Sequence, residues 1–113
     1  MTSSEQTLIA LNDVLEERAD EFENWLRTVV VPVMNEHRPH LLGRWRVLRS
    51  AQPQDGVVVF AFLFQGSPED AQLDPVLEEA LGVDGSEREL ATFTSMLKGE
   101  QRAWAFTPVP LDG

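Results

Sequence analysis

The longest unbroken apolar run in the chain is Val57-Val-Val-Phe-Ala-Phe-Leu-Phe64, set between Gly56 and Gly66. It is too short for a free-standing helix, and its β-branched and aromatic composition is that of a strand. Alternation puts Val57, Val59, Ala61 and Leu63 on one face and Val58, Phe60, Phe62 and Phe64 on the other. Neither set prefers water, which predicts a central strand covered on both sides.

The pattern around that strand supplies one cover. Thr7 to Leu11 reads as a strand that can extend to Asn12, and Asp13 to Glu17 as a connection. From Arg18 the period becomes helical. Phe22, Trp25, Leu26, Val29 and Val30 fall at i, i+3, i+4, i+7 and i+8, one apolar stripe. Pro32 lacks an N–H, so the helix is expected to kink or end there. Val33 to Gly43 then reads as a loop or irregular helical tail. Arg44 to Arg49 is the next strand, with Trp45, Val47 and Arg49 on one face and Arg44, Arg46 and Leu48 on the other. Asp55-Gly56 closes a hairpin loop into the central strand.

Ser67-Pro68-Glu69-Asp70 is a helix start, with a cap, a Pro at the first position and acids in the first turn. Asp74-Pro75 repeats the signal, and a helix is expected to run from there to Leu81. Gly82 to Gly85 reads as a turn. Ser86-Glu-Arg-Glu89 is a capping box that opens a helix carrying Leu90, Phe93 and Leu97, with Gly99 beyond its end. Gln101 to Thr107 is the last strand, ended by Pro108 and Pro110. Residues 1–6 and 109–113 are expected to be flexible ends of a single domain spanning 1–113.

The predicted order is β-α-β-β-α-β, the ferredoxin-like α+β arrangement: a four-stranded antiparallel sheet with its helices on one face. Nothing in the chain is left to cover the opposite face. The economical cover is a second copy packed sheet against sheet, a homodimer forming a dimeric α+β barrel. The expected cavity is walled by the sheet face that points away from the helices.

Composition narrows the partners. With 113 residues and 42% hydrophobic content, one core-forming domain is expected. Nineteen acidic and nine basic side chains give a formal charge of −10. That field repels phosphate backbones and anionic lipid, so neither nucleic acid nor a membrane is expected as a partner. No run approaches the roughly 20 apolar residues that span a bilayer. The N-terminus has no basic segment of the signal-peptide type, so a cytoplasmic location is expected. The absence of cysteine removes disulfides, thiolate catalysis and Cys-ligated metals. No P-loop, G-x-G-x-x-G, G-x-S-x-G or H-E-x-x-H pattern is present, and no cofactor or metal is expected.

The segment Glu21-Phe22-x-x-Trp25 followed by Pro32 resembles the EthD-like members of the dimeric α+β barrel superfamily. These often carry D/E-E-F-x-x-W-Y-x-x-x-H-x-P on their first helix. Asp20, Glu21, Phe22, Trp25 and Pro32 match in residue and spacing; the Tyr position is Leu26 and the His position Val30. The similarity extends loosely through Arg44–Arg49 and Phe60–Pro68. The resemblance implies a homodimer that encloses a small, often aromatic or polyketide-derived molecule. Activities among such relatives include cofactor-free oxygenation, cyclisation, lactone isomerisation and haem degradation. The monooxygenases and haem degraders use a Trp on the third strand, where this chain has only Val, Ala, Leu and Phe.

The candidate chemistry is sparse. Asn12 resembles the first-strand Asn that some cofactor-free monooxygenases place in the cavity; an Asn at a strand end also commonly bonds its own backbone. His37 and His40 are the only imidazoles, and either could act as acid or base at the cavity mouth or be a solvated loop residue. Pro39 between them argues against a shared metal. Arg46, if directed inward, could hold a carboxylate or enolate in a fork; at an edge it would instead deter aggregation. Trp45, Phe60, Phe62, Arg102 and Trp104 are the remaining candidate contacts to a ligand, with core packing the alternative for the aromatic ones. The expectation is a cofactor-independent cyclase, isomerase or monooxygenase in which Asn12, a His of the 37–40 segment and Arg46 handle an enolate-like oxygen. The alternative is a non-catalytic module that binds a hydrophobic ligand or serves as a structural dimer.

Overall fold

A computed structural model describes residues 6–67 and 72–111. Its elements are β1 (Gln6–Leu15), α1 (Ala19–Trp25), α2 (Val31–His37), β2 (Trp45–Arg49), β3 (Val57–Gly66), α3 (Leu73–Ser95) and β4 (Arg102–Phe106). A short 3₁₀ turn precedes α1, and another spans Pro39–Leu41. The four strands form one sheet in the order β2-β3-β1-β4, every pair antiparallel. The helices pack on one face, so the chain has the ferredoxin-like α+β fold that its hydrophobic pattern predicts.

Register assigns every strand residue to a face. Leu8 pairs with Phe64, Ala10 with Phe62, Asn12 with Phe60 and Val14 with Val58. Trp45, Val47 and Arg49 oppose Phe64, Phe62 and Phe60 on the other side of β3. These residues form the helix-facing side. Phe22 of α1 is fully buried against it, its ring 4.7 Å from Phe60, 5.8 Å from Phe93 of α3 and 6.4 Å from Phe62. Trp25 stacks on Phe93 at 5.5 Å and donates its indole N–H to a Glu89 oxygen at 2.8 Å. The apolar stripe read from the sequence is therefore the stripe that packs: Phe22, Trp25, Leu26 and Val30 are all buried.

Two sequence expectations need correction, and two alternatives are decided. β1 runs on to Leu15, where a connection was expected from Asp13. Val14 is fully buried on the helix face, and the Leu15 N–H reaches the Met96 carbonyl at 2.9 Å, so the ladder continues. The helix does not end at Pro32. A π-helical segment, Leu26–Val30, joins α1 to α2, and the Val31 N–H bonds the Leu26 carbonyl five residues back. That wider turn lets helical backbone pass through a residue that has no N–H to give. Of the two alternatives read for residues 33–43, loop or irregular helical tail, residues 33–37 take the helical one. The capping box is also not a start: helical backbone resumes directly after Gly82, whose φ of 77° and ψ of 174° break α3, and Ser86 lies inside the second half. The break itself falls at the predicted turn. The helix start expected over Ser67–Asp70 falls almost entirely on 68–71, outside the described residues, as do the outermost residues of both expected flexible ends.

The hairpin is as its turn chemistry requires. Asp55 (φ 54°) and Gly56 (φ 76°) both take left-handed backbone, and Gln54 and Val57 exchange both backbone hydrogen bonds around them. This is the two-residue turn that matches the twist of β2 and β3.

The other face of the sheet carries no helix. It presents Ile9, Leu11, Val57, Val59, Ala61, Leu63, Leu48, Trp104 and Phe106, with Arg46 and the Arg102–Asp13 pair among them. Leu48, Trp104 and Phe106 are each about half exposed.

Candidate functional site

A cavity lies between the sheet and the helices; the cavity expected from the sequence lies on the opposite face, which a second copy would enclose. The cavity beneath the helices has a volume of about 590 Å³. Three layers build it. The floor is small: Ala10 of β1 and Ala103 and Ala105 of β4 leave room above the sheet. The inner wall is aromatic, with Phe62, Phe64 and Phe93 beside Trp45, whose ring stacks on Phe64 at 5.6 Å and 9°. Val30 and Met34 close one end from the first helical layer, and Leu73 and Leu90 come from the two halves of α3. Gln72, Asp74 and Gln101 supply polar groups, and all three are exposed, so they form the rim.

The cavity exists because α3 does not reach across β4. Every residue of that strand is exposed, including the alanines that face the helix layer. The break at Gly82 turns α3 so that its first half covers the region of Met34 and its second half that of Phe22 and Trp25. Neither half covers Ala103 and Ala105.

Asn12 does not line this cavity; it is fully buried. It stands two residues beyond Ala10 of the floor on the same face of β1, about 7 Å along the strand. Neither Nδ2 nor Oδ1 has a hydrogen-bond partner among the described residues. A buried amide without a partner costs about 1–3 kcal/mol, so such groups are rare unless they have a use. The strand-end alternative, a bond to its own backbone, is not made.

The other predicted residues divide between the two faces. Trp45 and Phe62 line the cavity, while Phe60 on the same face is core, buried beneath Phe22. Arg46 and Arg102 do not line it. Strand alternation sends Arg46, opposite Leu63, and Arg102, opposite Leu11, to the helix-free face, where Arg102 pairs with Asp13 at 2.7 Å. Trp104 contributes to the cavity edge, but its side chain alternates to the same helix-free face as Arg102. Arg46 borders a separate shallow groove at the β2 edge.

The histidines sit away from the cavity as well. His37 ends α2 with Nδ1 3.6 Å from Glu79 of α3, and Arg38 bonds the same carboxylate at 3.0 Å. That guanidinium, with a lesser contribution from His37, holds the Glu79 carboxyl below its ordinary range. The pair ties α2 to α3 rather than serving a ligand. His40 lies exposed in the 3₁₀ turn. Asn12, His37 and Arg46 thus do not converge: one is beneath the helices, one is at a helix end and one is on the far face. Among the described residues no group of three or more His, Cys, Asp or Glu could hold a metal ion.

The cavity residues that sequence reasoning passed over are Ala10, Ala103, Ala105, Leu90 and Phe93. One signal was available. Ala103 and Ala105 flank Trp104 at strand spacing, so one face of the last strand is small throughout while its neighbour β3 presents phenylalanines.

The fold and the cavity together define a class: ferredoxin-like α+β proteins with a small-molecule-sized cavity between sheet and helices. No family model and no curated protein matches the chain. Solved structures do. A NIPSNAP family protein from Agrobacterium tumefaciens superposes with a TM-score of 0.63 at 7% identity, over 99% of this chain and 92% of that one. A Caulobacter crescentus protein, provisionally assigned as an antibiotic biosynthesis monooxygenase, gives 0.52 at 18% identity, over 94% and 91%. Rv0793 from Mycobacterium tuberculosis gives 0.47 at 14%, over 97% and 100%. At these identities the likeness establishes the fold alone. No helix among the described residues is long and apolar enough to cross a membrane.

Proposed function

We propose that this chain is a cofactor-independent enzyme, of monooxygenase, cyclase or isomerase type, acting on a small aromatic or polyketide-like molecule held between its sheet and its helices. The observation that carries the reading is the cavity of about 590 Å³ walled by aromatic rings, with the fully buried amide of Asn12, unpartnered among the described residues, two residues beyond Ala10 of its floor. An amide N–H held in a dry site stabilises negative charge as it develops on a ligand oxygen, a contribution of about 3–4 kcal/mol where it has been measured in other enzymes. The Caulobacter crescentus neighbour, by its assignment, supports an oxygenase chemistry. His37, His40 and Arg46 do not line this cavity; Arg46 stands with Arg102 and Trp104 on the helix-free face, which a second copy would enclose. The test is turnover of a hydroxylated polycyclic arene in air and in the presence of a chelator. Asn12→Leu should lower kcat by ten-fold or more with KM little changed. Equal kcat in the variant would remove Asn12 from the chemistry.

One observation favours a second reading, a non-catalytic carrier of an apolar ligand. The only ionisable side chain on the cavity lining among the described residues is Asp74, and it is exposed at the rim. A carrier would bind the arene and return it unchanged.

The oligomer belongs to the same proposal. The helix-free face sets Ile9, Leu11, Val59, Leu63, Trp104 and Phe106 side by side, and contiguous apolar surface of this kind is an interaction site. Its occupant in this reading is a second copy of the chain, which gives the dimeric barrel. A place in the EthD-like branch remains part of this proposal, supported by the match at Asp20, Glu21, Phe22, Trp25 and Pro32.

A further inference from the structure

The site is built to take an uncharged ligand and to turn away an anionic one. We infer that charge, rather than size, is its main filter, and that its ligand is a flat neutral arene without a carboxylate, phosphate or sulfate group. This inference rests on the reading of the cavity as a small-molecule site.

Three observations carry it. First, among the described residues no Arg, Lys or His lines the cavity; its lining is apolar apart from Gln72, Asp74 and Gln101 at the rim. Second, several cations elsewhere on the molecule are already engaged. Arg38 is held by Glu79 and the His37 carbonyl, Arg49 by Asp20 and Glu23, and Arg102 by Asp13 on the opposite face. Third, Asn12, fully buried two residues beyond the floor residue Ala10 on the same strand face, carries a neutral amide, which can pair with a hydroxyl, carbonyl or carboxamide but cannot neutralise a full charge.

An anion whose charged group is drawn in among the rings loses its hydration there, finds no counter-charge and passes the Asp74 carboxylate under the field of a chain with formal charge −10. Desolvating an unpaired carboxylate costs far more than the rings can return by contact alone. The neutral isostere pays none of that penalty, and the aromatic walls favour a flat molecule.

The experiment compares 2-naphthamide with 2-naphthoate, which share shape and differ in charge, by isothermal titration of the intact protein at pH 7. The amide should bind at least ten-fold more tightly. A smaller ratio, or a preference for the carboxylate, overturns the inference while leaving the cavity as a binding site. Failure of both probes to bind overturns the cavity reading itself and the inference with it. A second variant keeps the result specific to this site. Ala105→Arg puts a guanidinium on the floor at an exposed position, where the fold tolerates it, and should shift the preference toward the carboxylate by ten-fold or more. An unshifted preference in that variant overturns the inference, since discrimination would then arise away from this cavity.

Discussion

Asn12→Leu should make the ligand-free protein more stable. The side chain is fully buried, and neither amide atom meets a partner among the described residues. It sits opposite Phe60 and two residues from the fully buried Val14, among apolar groups. Leucine has the branching and heavy-atom count of asparagine and replaces two stranded polar atoms with methyl groups. Removing an unpaired buried amide recovers about 1–3 kcal/mol on the scale of protein mutational data. With an unfolding entropy of about 2.1 cal/mol/K per residue over 113 residues, that gain raises Tm by roughly 4–12 °C. The assay is urea unfolding followed by tryptophan fluorescence, with a higher midpoint at unchanged slope. A midpoint that falls would refute the reasoning, because it would mean that the amide is satisfied in the free protein and has no bond to offer a ligand. Read beside the kcat of the same variant, the result separates two roles. A stabilised but inactive protein has given up function for stability, the exchange expected of an active-site polar group.

Three further outcomes follow from the geometry. In sedimentation equilibrium the protein should run at twice the 12.7 kDa of one chain, and Leu63→Lys on the helix-free face should return it to a single chain; a wild type that stays monomeric at micromolar concentration would remove the dimer. Gly82→Ala should cost about 1–3 kcal/mol although a Cβ there meets nothing within 4 Å, because the φ of 77° and ψ of 174° are accessible only to glycine; equal stability by urea midpoint would show that the break shifts elsewhere. The Arg49 bond, with Arg27 behind it, holds the Glu23 carboxyl below its ordinary value of 4.5, so the folded state favours the charged form. That contribution is present above pH 4.5 and is lost as pH falls through the lower folded value. Arg49→Met should therefore lower the urea midpoint at pH 7 and converge with the wild type in acid; a gap that widens in acid would reverse the sign of the argument.

What the sequence determined and what it left open can be separated by range. The eight-residue run of β3, the stripe from Phe22 to Val30, the Asp55-Gly56 turn and the break near Gly82 are local patterns. Each is set by backbone sterics or by a period of two or 3.6, and each appears in the structure where the chain places it. The strand order then follows, because a β-α-β-β-α-β chain with short connections has few ways to pair. What remained open was of a different kind. Periodicity divides Val57–Phe64 into two apolar faces but does not say which one receives the helices. The choice goes to the phenylalanine face, since rings of that size fill the gap to Phe22 and Phe93 while the Val, Ala and Leu face makes a shallower surface. That single choice buries Asn12 beneath the helices and leaves Arg46, Arg102 and Trp104 on the helix-free face, where the sequence reading expected its cavity. Pro32 was open for a related reason: its lost hydrogen bond argues for a kink or an end, and packing of Val33 and Met34 on the core holds the chain helical through a π turn. Distances between residues far apart in sequence, and the amide they leave without a partner, exist only once the layers have closed.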